Sequence, residues 1–390
     1  MAKNRVLLLL ACLLILGVPA WQAQNSPAQE STVQGSQVQD AHALTATTQD
    51  STTSVAGRHR RIASPEKARS KDNEAKRHND KPIKPDALTK PVIWQDPGDI
   101  AGKDLFWGQG GPRHRPRPPF TFIREERHGN YPKFDCRDAN GKKWRVKLGA
   151  EARPEVAASR LLWAVGYFVD ENYLVPKAQV RGLKMERESG KQKGATVIDA
   201  RFKRRPAGKQ KIGTWKWRDN PFSGTREFNG LRVMMAVINN WDLKDVNNAV
   251  QEARDHQQQF FLVSDLGSSF GPNAVDLPLS SSKGNPRKFE HSKFITRNHG
   301  AVVDFATPAA PAGILVKTVG VGAMAYVLRS RLDWIGNNVP APDAHWIGML
   351  LGQLSHQQLV DAFRAGNFPT SEVERYVSVM EDRIRELQGL

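Results

Sequence analysis

Cysteine is almost missing from this chain of 390 residues, which contains only Cys12 and Cys136. If residues 1–24, which contain Cys12, are removed as a signal peptide, Cys136 has no partner and an intramolecular disulfide is excluded. Histidine occurs ten times but never as H-E-x-x-H, and a lone cysteine cannot complete a zinc site. The sequence therefore predicts a core that is held together by packing, without a disulfide or a structural zinc.

A hydrophobic run long enough to cross a membrane is also lacking. The most apolar stretch, residues 6–20, follows a basic start and is interrupted by Gly17 and Pro19. A spanning helix needs about 20 apolar residues, whereas a basic start followed by a short apolar run is typical of an export signal. The sequence predicts a signal peptide over residues 1–24 and an exported protein, periplasmic or secreted. An uncleaved signal that acts as an anchor stays open.

Acidic residues are too few to balance the basic ones. Lys and Arg number 57 against 40 Asp and Glu, which gives a net charge of +17. This excess favours anionic partners such as nucleotide phosphates, nucleic acid, glycans or lipid, without choosing among them. Residues 25–57 contain no Lys or Arg, and residues 58–90 form a basic polar tract. Both are too polar to bury a core, so we predict a disordered linker over residues 25–90. Its basic half is either a solvated spacer or a tether to an anionic envelope surface.

Periodicity predicts a folded region that begins near residue 91. Alternating apolar residues predict strands at 120–126, 133–137 and 143–148, with Asn140-Gly141 as a hairpin turn. A proline in the first turn and a glycine after the last predict a helix over 154–165. Further strands are predicted at 173–180, 195–202, 248–252 and 258–263, and further helices at 228–239, 318–329, 344–353, 357–365 and 371–387. A strand-rich half with one helix thus precedes a helical half, which predicts an α+β fold.

Two short polar segments carry the chemistry. Asp242, Lys244 and Asn247 form the pattern D-L-K-x-x-N in a loop after a predicted helix, and Asp265 begins D-L-G after the apolar strand 258–263. Phosphoryl transfer from ATP needs a carboxylate to position the acceptor hydroxyl and an ammonium beside the moving phosphate. It also needs an amide and a second carboxylate to hold magnesium.

Two upstream residues complete the pattern. Lys147 ends the third predicted strand, and Glu155 lies on the helix that follows. In this order the chain resembles the protein-kinase-like fold, in particular its atypical branch of HipA-type, phosphoinositide-kinase-like and secreted spore-coat-type kinases. The resemblance covers about residues 118–290. It implies two lobes: an antiparallel sheet with one helix over residues 91–205, and a mostly helical lobe over residues 206–390.

The resemblance implies catalytic and metal-binding roles for the two polar segments. Asp242 would orient the acceptor hydroxyl or accept its proton, and Lys244 would neutralise charge on the transferring phosphoryl group. Asn247 and Asp265 would hold magnesium, with manganese as an alternative.

The resemblance also implies a cofactor-binding pair. Lys147 would bind the α- and β-phosphates of ATP, and Glu155 would orient it, with Glu151 as the alternative partner in the preceding loop. Taken singly, Lys147 could be a solvent-facing strand residue, and Glu155 could be a first-turn acid that satisfies the helix dipole. The implied partners are ATP and a hydroxyl-bearing acceptor that is a protein, a glycan or a small molecule.

The sequence departs from ordinary protein kinases at three places. There is no G-x-G-x-x-G between the first two strands, where Gly129 stands alone. Asn240-Trp241 precedes Asp242 in place of His-Arg, and no Ala-Pro-Glu follows Asp265. Atypical kinases share these absences. A nucleotide-binding pseudokinase or interaction module stays open, as does a polyanion-binding envelope protein.

Two other patterns compete with this interpretation. Residues 267–271 match the G-x-S-x-G elbow of serine hydrolases, but Pro272 follows where a helix should begin. Residues 201–218 hold eight Lys or Arg and no acid, interleaved with Trp215 and Trp217. They could stack on single-stranded nucleic acid, contact an anionic substrate or adenine, or form a basic loop whose tryptophans pack on the core. Nucleic acid is not the favoured partner.

Overall fold

The computed structural model describes residues 82, 89–129, 131–187, 189–205, 209–253, 255–271, 283–306 and 332–390. The predicted signal peptide, nearly all of the predicted linker 25–90 and the predicted helix 318–329 lie outside the described residues.

The described chain is a mixture of strands and helices, as the α+β prediction requires. The strands are β1 (Lys90–Val92), β2 (Phe120–Glu126), β3 (Lys133–Arg137), β4 (Lys143–Lys147), β5 (Asn172–Arg181), β6 (Gln192–Lys193), β7 (Thr196–Arg204), β8 (Lys209–Gly213), β9 (Asn248–Ala253), β10 (Gln258–Val263), β11 (Ile295–Asn298), β12 (Val302–Phe305) and β13 (Val339–Pro340). The helices are α1 (Ala152–Ala164), α2 (Arg226–Val237), α3 (Pro286–Glu290), α4 (Ala341–Leu351), α5 (His356–Ala365) and α6 (Thr370–Gln388). None of these helices is long and apolar enough to cross a membrane.

Five strands close into a barrel in the order β4-β3-β2-β5-β7, with β7 paired back to β4. The predicted antiparallel arrangement holds for every pair in the ring except β2–β5, which is parallel. This parallel pair joins a strand that precedes α1 in the sequence to one that follows it. It covers a sheet edge that would otherwise present unpaired backbone groups. Buried aromatic rings fill the interior, with Phe120 and Phe202 packed 5.0 Å apart beside Trp144.

The β3–β4 hairpin sets the register of the barrel. Gly141 takes a left-handed φ of 72° in the predicted turn, and the Asp138 carboxylate accepts bonds from the backbone N–H of Asn140 and Lys142 at 2.9 Å. This register places Lys133 opposite Lys147 and, on the other side of Lys147, Arg201 of β7. Three cationic side chains therefore stand side by side on neighbouring strands.

A second sheet has the order β1-β10-β9-β8. It includes a strand within the basic segment 201–218 that the sequence did not predict. Trp215 and Trp217, which follow that strand, are each 1% exposed. Their rings pack 4.8 Å apart, and the indole N–H of Trp215 donates to the Leu262 carbonyl at 3.0 Å. The tryptophans pack on the core, as one of the three alternatives proposed, and cannot stack on a nucleic acid.

Helix α2 leads directly into the loop that carries Asp242. The buried guanidinium of Arg383, on α6, donates to the carbonyls of Ala236 and Val237 at 2.9 and 2.8 Å. It therefore adds a donor to carbonyls of the last helical turn, where the regular i to i+4 partners are missing. The helix ends two residues earlier than predicted because Asn239 adopts a left-handed φ of 50°. The start of the loop is thereby fixed by a distant helix.

The segment before the barrel is held against α1 and α5. Lys103 donates to the carbonyl of Ala164 at 2.9 Å, at the C-terminal end of α1. The side-chain amide of Gln358, on α5, donates to the carbonyls of Ile100 and Lys103 at 2.9 Å each. Its oxygen accepts from the backbone N–H of Ser355, which completes a capping box.

We expect Gln358→Ala to lower the free energy of unfolding by about 2–3 kcal/mol, because it leaves buried carbonyls unsatisfied and breaks the capping box. The measurement is equilibrium denaturation in urea. Gln357→Ala is the matched control, since Gln357 is an exposed neighbour that bonds only Asp361 within α5. Equal stability of the two variants would show that Gln358 does not anchor the segment.

Candidate active site

Backbone hydrogen bonds bring the two polar segments together. The carbonyl of Asn247 accepts from the N–H groups of Ser264 and Asp265, at 2.8 and 3.1 Å. Asn248 pairs with Val263 in the β9–β10 hairpin. The loop with Asp242 and the strand end with Asp265 are therefore neighbours because a short hairpin connects them.

Lys147 is the centre of the site. Its side chain is 3% exposed, and its Nζ lies 3.0 Å from Glu155 Oε2 and 3.2 Å from Asp265 Oδ1. Asp265 is 118 residues away in sequence. Glu155 is buried on the first turn of α1. The structure thus brings Lys147, Glu155 and Asp265 into direct contact.

Glu151 is a second partner of Lys147, with Oε2 at 2.6 Å from Nζ. The sequence placed it in a loop as the alternative to Glu155. It lies immediately before α1, it is buried, and its other oxygen pairs with Lys283. A Cβ at Gly267 would lie 2.5 Å from the Cβ of Glu151. The glycine of D-L-G is therefore needed for the close approach of the two loops.

Further cations surround the carboxylates. Arg201 Nη2 lies 3.3 Å from Glu155 Oε1. Burial, reinforced by the nearby charge of Lys147, lowers the pKa of Lys133 to about 8. Sequence analysis did not assign Lys133 or Arg201 to the site. The register of the predicted hairpin would have placed Lys133 opposite Lys147.

These charges fix the protonation states at neutral pH. Burial favours the uncharged form of Lys147, but Asp265, Glu151 and Glu155 outweigh it and raise its pKa well above the ordinary value. Burial likewise opposes ionisation of Asp265, but Lys147 and Lys133 outweigh it and hold its pKa well below the ordinary value. Lys147 is therefore a cation, and Asp265 is a carboxylate, over the whole physiological range.

Asp242, Lys244 and Asn247 form a second contacting set. Lys244 Nζ lies 3.0 Å from Asp242 Oδ1. The side-chain amide of Asn247 donates to the backbone carbonyl of Asp242 at 2.6 Å, and the N–H of Asp242 donates to Asn240 Oδ1 at 3.1 Å. The loop is held in one shape by its own polar groups, and the Asn247 carbonyl joins it to the strand end with Asp265.

The oxygen donors suit a hard divalent cation. Because the amide nitrogen of Asn247 bonds the Asp242 carbonyl, its Oδ1 is the atom left to act as a ligand. Asp265 has a side chain that is 37% exposed, so its carboxylate is accessible. Magnesium prefers such ligands and usually completes its shell with water and substrate phosphates. Within the described ranges no group of three or more His, Cys, Asp or Glu could hold a metal.

A separate, partly buried ion pair anchors the end of β10. Asp170 accepts from Ser264 Oγ at 2.5 Å and from Lys203 Nζ at 2.8 Å. Lys203 is on the barrel strand β7, and Ser264 directly precedes Asp265. This cluster ties the strand that carries Asp265 to the barrel strand next to Lys147.

The serine-hydrolase alternative is excluded by burial. Ser269, the serine of G-x-S-x-G, has no exposed surface, and its Oγ donates to the Leu266 carbonyl at 2.8 Å. A nucleophile elbow must expose that hydroxyl.

Comparison with known proteins gives a distant structural likeness and no match in sequence. No protein-family model and no curated protein matches the sequence. A crystal structure of a proinflammatory kinase of Helicobacter pylori, CtkA, is similar over 69% of this chain and 96% of its own, with a TM-score of 0.39 and 10% identity. A likeness this distant says nothing about the activity of this chain, which has to be argued from its own side chains.

Proposed function

We propose that this protein is an exported atypical kinase that uses magnesium to transfer the γ-phosphoryl group of ATP to a hydroxyl group of a protein, glycan or small molecule. The observation that carries the proposal is the contact of Lys147 with both Glu155 and Asp265. A buried lysine held between a helix glutamate and an aspartate at a strand end is the arrangement that phosphoryl transfer requires. Burying charges costs free energy that their mutual attraction repays only with good geometry and full pairing.

The fold supports the same proposal. The barrel with α1 would form the N-lobe, residues 91–205, and the second sheet with the later helices would form the mostly helical C-lobe, residues 206–390. In this two-lobed arrangement Lys147 and Glu155 belong to the first lobe and Asp265 to the second. The position of the lobe boundary is a prediction.

In this proposal Lys147 binds the α- and β-phosphates while Glu155 keeps its side chain extended toward them. Asn247 Oδ1 and the Asp265 carboxylate would hold magnesium, which would neutralise phosphate charge. The excess of cations around the site, including Lys133 and Arg201, favours a polyanionic ligand.

Transfer requires a base and a nearby cation. The Asp242 carboxylate orients the acceptor hydroxyl and takes its proton as the new O–P bond forms and the bond from the γ-phosphorus to the bridging oxygen of ADP breaks. Lys244, 3.0 Å from Asp242 and half exposed, neutralises charge on the moving phosphoryl group. Positioning and charge provide most of the rate in this chemistry.

One observation favours a nucleotide-binding pseudokinase as the second candidate. The turn between β2 and β3 contains Gly129 as its only glycine, so the backbone has little freedom to wrap around phosphates. A polyanion-binding envelope protein is the third candidate, and it rests on net charge alone.

Isothermal titration with Mg-ATP, followed by measurement of phosphate incorporation from labelled ATP, tests the proposal. We expect saturable binding that needs magnesium, and transfer to the protein itself or to an added hydroxyl acceptor. Binding without transfer would favour the pseudokinase, and the absence of Mg-ATP binding would reject both in favour of the polyanion-binding protein. Titration with adenosine is the control for binding that does not involve the phosphates.

A further inference from the structure

We propose that Lys283 is a second phosphate-binding residue of this site, which exchanges Glu151 for a phosphate oxygen when Mg-ATP binds. The inference rests on the proposed function and adds a residue that the sequence analysis did not single out. Lys283 lies 18 residues after Asp265, and nothing in its sequence context marks it as functional.

Lys283 is enclosed by groups from three parts of the chain. Its side chain is 6% exposed and pairs with Glu151. Its Nζ lies 4.8 Å from the ring centre of Tyr131, in the β2–β3 turn, and 5.2 Å from that of Trp241, the residue before Asp242. It is therefore next to Glu151, the partner of Lys147, and next to the loop that carries the proposed base.

Lys147 and Lys283 share one carboxylate. Three carboxylates face Lys147: Glu151, Glu155 and Asp265. Of these, Glu151 also pairs with Lys283. If Lys283 turns to a phosphate oxygen, Glu151 keeps Lys147 as its partner at 2.6 Å, so the exchange leaves no buried carboxylate without a cation.

The backbone beside Lys283 is fixed by hydrogen bonds. The N–H of Gly284 donates to the Ser269 carbonyl at 3.0 Å, and the N–H of Asn285 donates to the Phe270 carbonyl at 2.8 Å. A lysine on a fixed backbone has a flexible four-carbon stem and a point charge that can change partners. It can therefore supply the phosphate contacts that a turn with a single glycine does not.

A purely structural role makes a different prediction. If Lys283 only neutralises buried Glu151, the two residues form one ion pair, and losing either one harms the fold in the same way. If Lys283 binds phosphate, Glu151 competes with the nucleotide for it. Removing the lysine and removing the glutamate charge then change the affinity for Mg-ATP in opposite directions.

The test is isothermal titration of the wild type, Lys283→Met, Lys283→Arg and Glu151→Gln with Mg-ATP and with adenosine. We expect Lys283→Met to weaken Mg-ATP binding about 10- to 100-fold, as for the loss of one charge-assisted contact. Adenosine binding stays unchanged, Lys283→Arg restores most of the Mg-ATP affinity, and Glu151→Gln binds Mg-ATP more tightly than the wild type. The double variant Lys283→Met/Glu151→Gln leaves no unpaired buried charge, so it tests the loss of Lys283 if Lys283→Met alone folds poorly. It should bind Mg-ATP more weakly than Glu151→Gln.

Two results would overturn the proposal. One is equal loss of Mg-ATP and adenosine binding in Lys283→Met and Glu151→Gln, which shows a structural ion pair. The other is unchanged Mg-ATP affinity in Lys283→Met while Asp265→Ala abolishes binding, which removes Lys283 from the site and leaves the kinase proposal intact. If the wild type itself does not bind Mg-ATP, the proposed function falls, and this inference falls with it.

Discussion

Asp265→Ala is expected to weaken magnesium-dependent binding of ATP by at least about 100-fold and to abolish phosphoryl transfer. Asp265 has two tasks in the proposed site, since it holds the metal and pairs with Lys147 at 3.2 Å. Its pKa is held far below the ordinary value, because the charges of Lys147 and Lys133 outweigh the effect of burial. The carboxylate is therefore ionised at neutral pH, and the loss should not depend on pH between about 5 and 7, below the pKa of about 8 at which Lys133 loses its charge.

The effect should be local, because Lys147 keeps Glu151 and Glu155 as partners when Asp265 is removed. Asp265→Asn keeps the shape of the side chain and removes its charge, so it should bind Mg-ATP almost as weakly as the alanine variant. Asp255→Ala is the matched control, since Asp255 is an exposed aspartate in the turn of the same β9–β10 hairpin.

The measurement is isothermal titration with ATP in the presence of magnesium and in the presence of a chelator, with melting temperatures as the check on folding. Normal binding by a folded Asp265→Ala variant would show that the aspartate at the strand end holds no metal. The contact of Lys147 with Asp265 would then be a structural ion pair, and the kinase proposal would lose its main support.

Local rules predicted the elements that build the site. The Asn140-Gly141 turn signal predicted the β3–β4 hairpin. Pro154 and Gly166 predicted a helix over 154–165, which is observed as Ala152–Ala164. Both depend on backbone preferences within a few residues, and such preferences can be read from a single sequence. The loop of Asp242 and the strand before Asp265 were predictable for the same reason.

Pairings between distant strands were not predictable. The barrel closes through a parallel pair of only two residues on each strand, Phe120 with Val180 and Thr121 with Arg181. Likewise β8 is a strand because it pairs with β9, although its sequence shows no apolar alternation. Such pairings are fixed by tertiary contacts, which override local patterns.

The number of carboxylates around Lys147 has a similar explanation. Glu151 was named as the alternative partner in the preceding loop, and it reaches Lys147 together with Glu155 because the turn between β4 and α1 bends back through Gly149, whose φ is 111°. A sequence shows that Glu151 and Glu155 are four residues apart. It does not show that the chain folds so that both side chains reach one lysine.

Asp242→Ala is expected to separate binding from chemistry. It should bind Mg-ATP with nearly unchanged affinity, while phosphoryl transfer falls by about 10³-fold or more, since a group that acts mainly in the transition state is lost. The substitution should not disturb Asn247, because the Asn247 amide bonds the backbone carbonyl of residue 242 rather than its carboxylate. The proposed metal ligand therefore keeps its orientation in the variant.

Phosphate incorporation from labelled ATP measures the transfer rate, and isothermal titration measures the affinity in the same preparations. Asp242→Asn is the second variant, because it keeps the size of the side chain but cannot take up the proton of the hydroxyl at neutral pH. It should be nearly as slow as the alanine variant, whereas Lys244→Ala, which removes only the neighbouring charge at 3.0 Å, should be slowed less. Unchanged turnover in Asp242→Ala would reject the assignment of Asp242 as the base. Loss of transfer together with an equal loss of affinity would mean that Asp242 shapes the nucleotide site instead of acting on the acceptor.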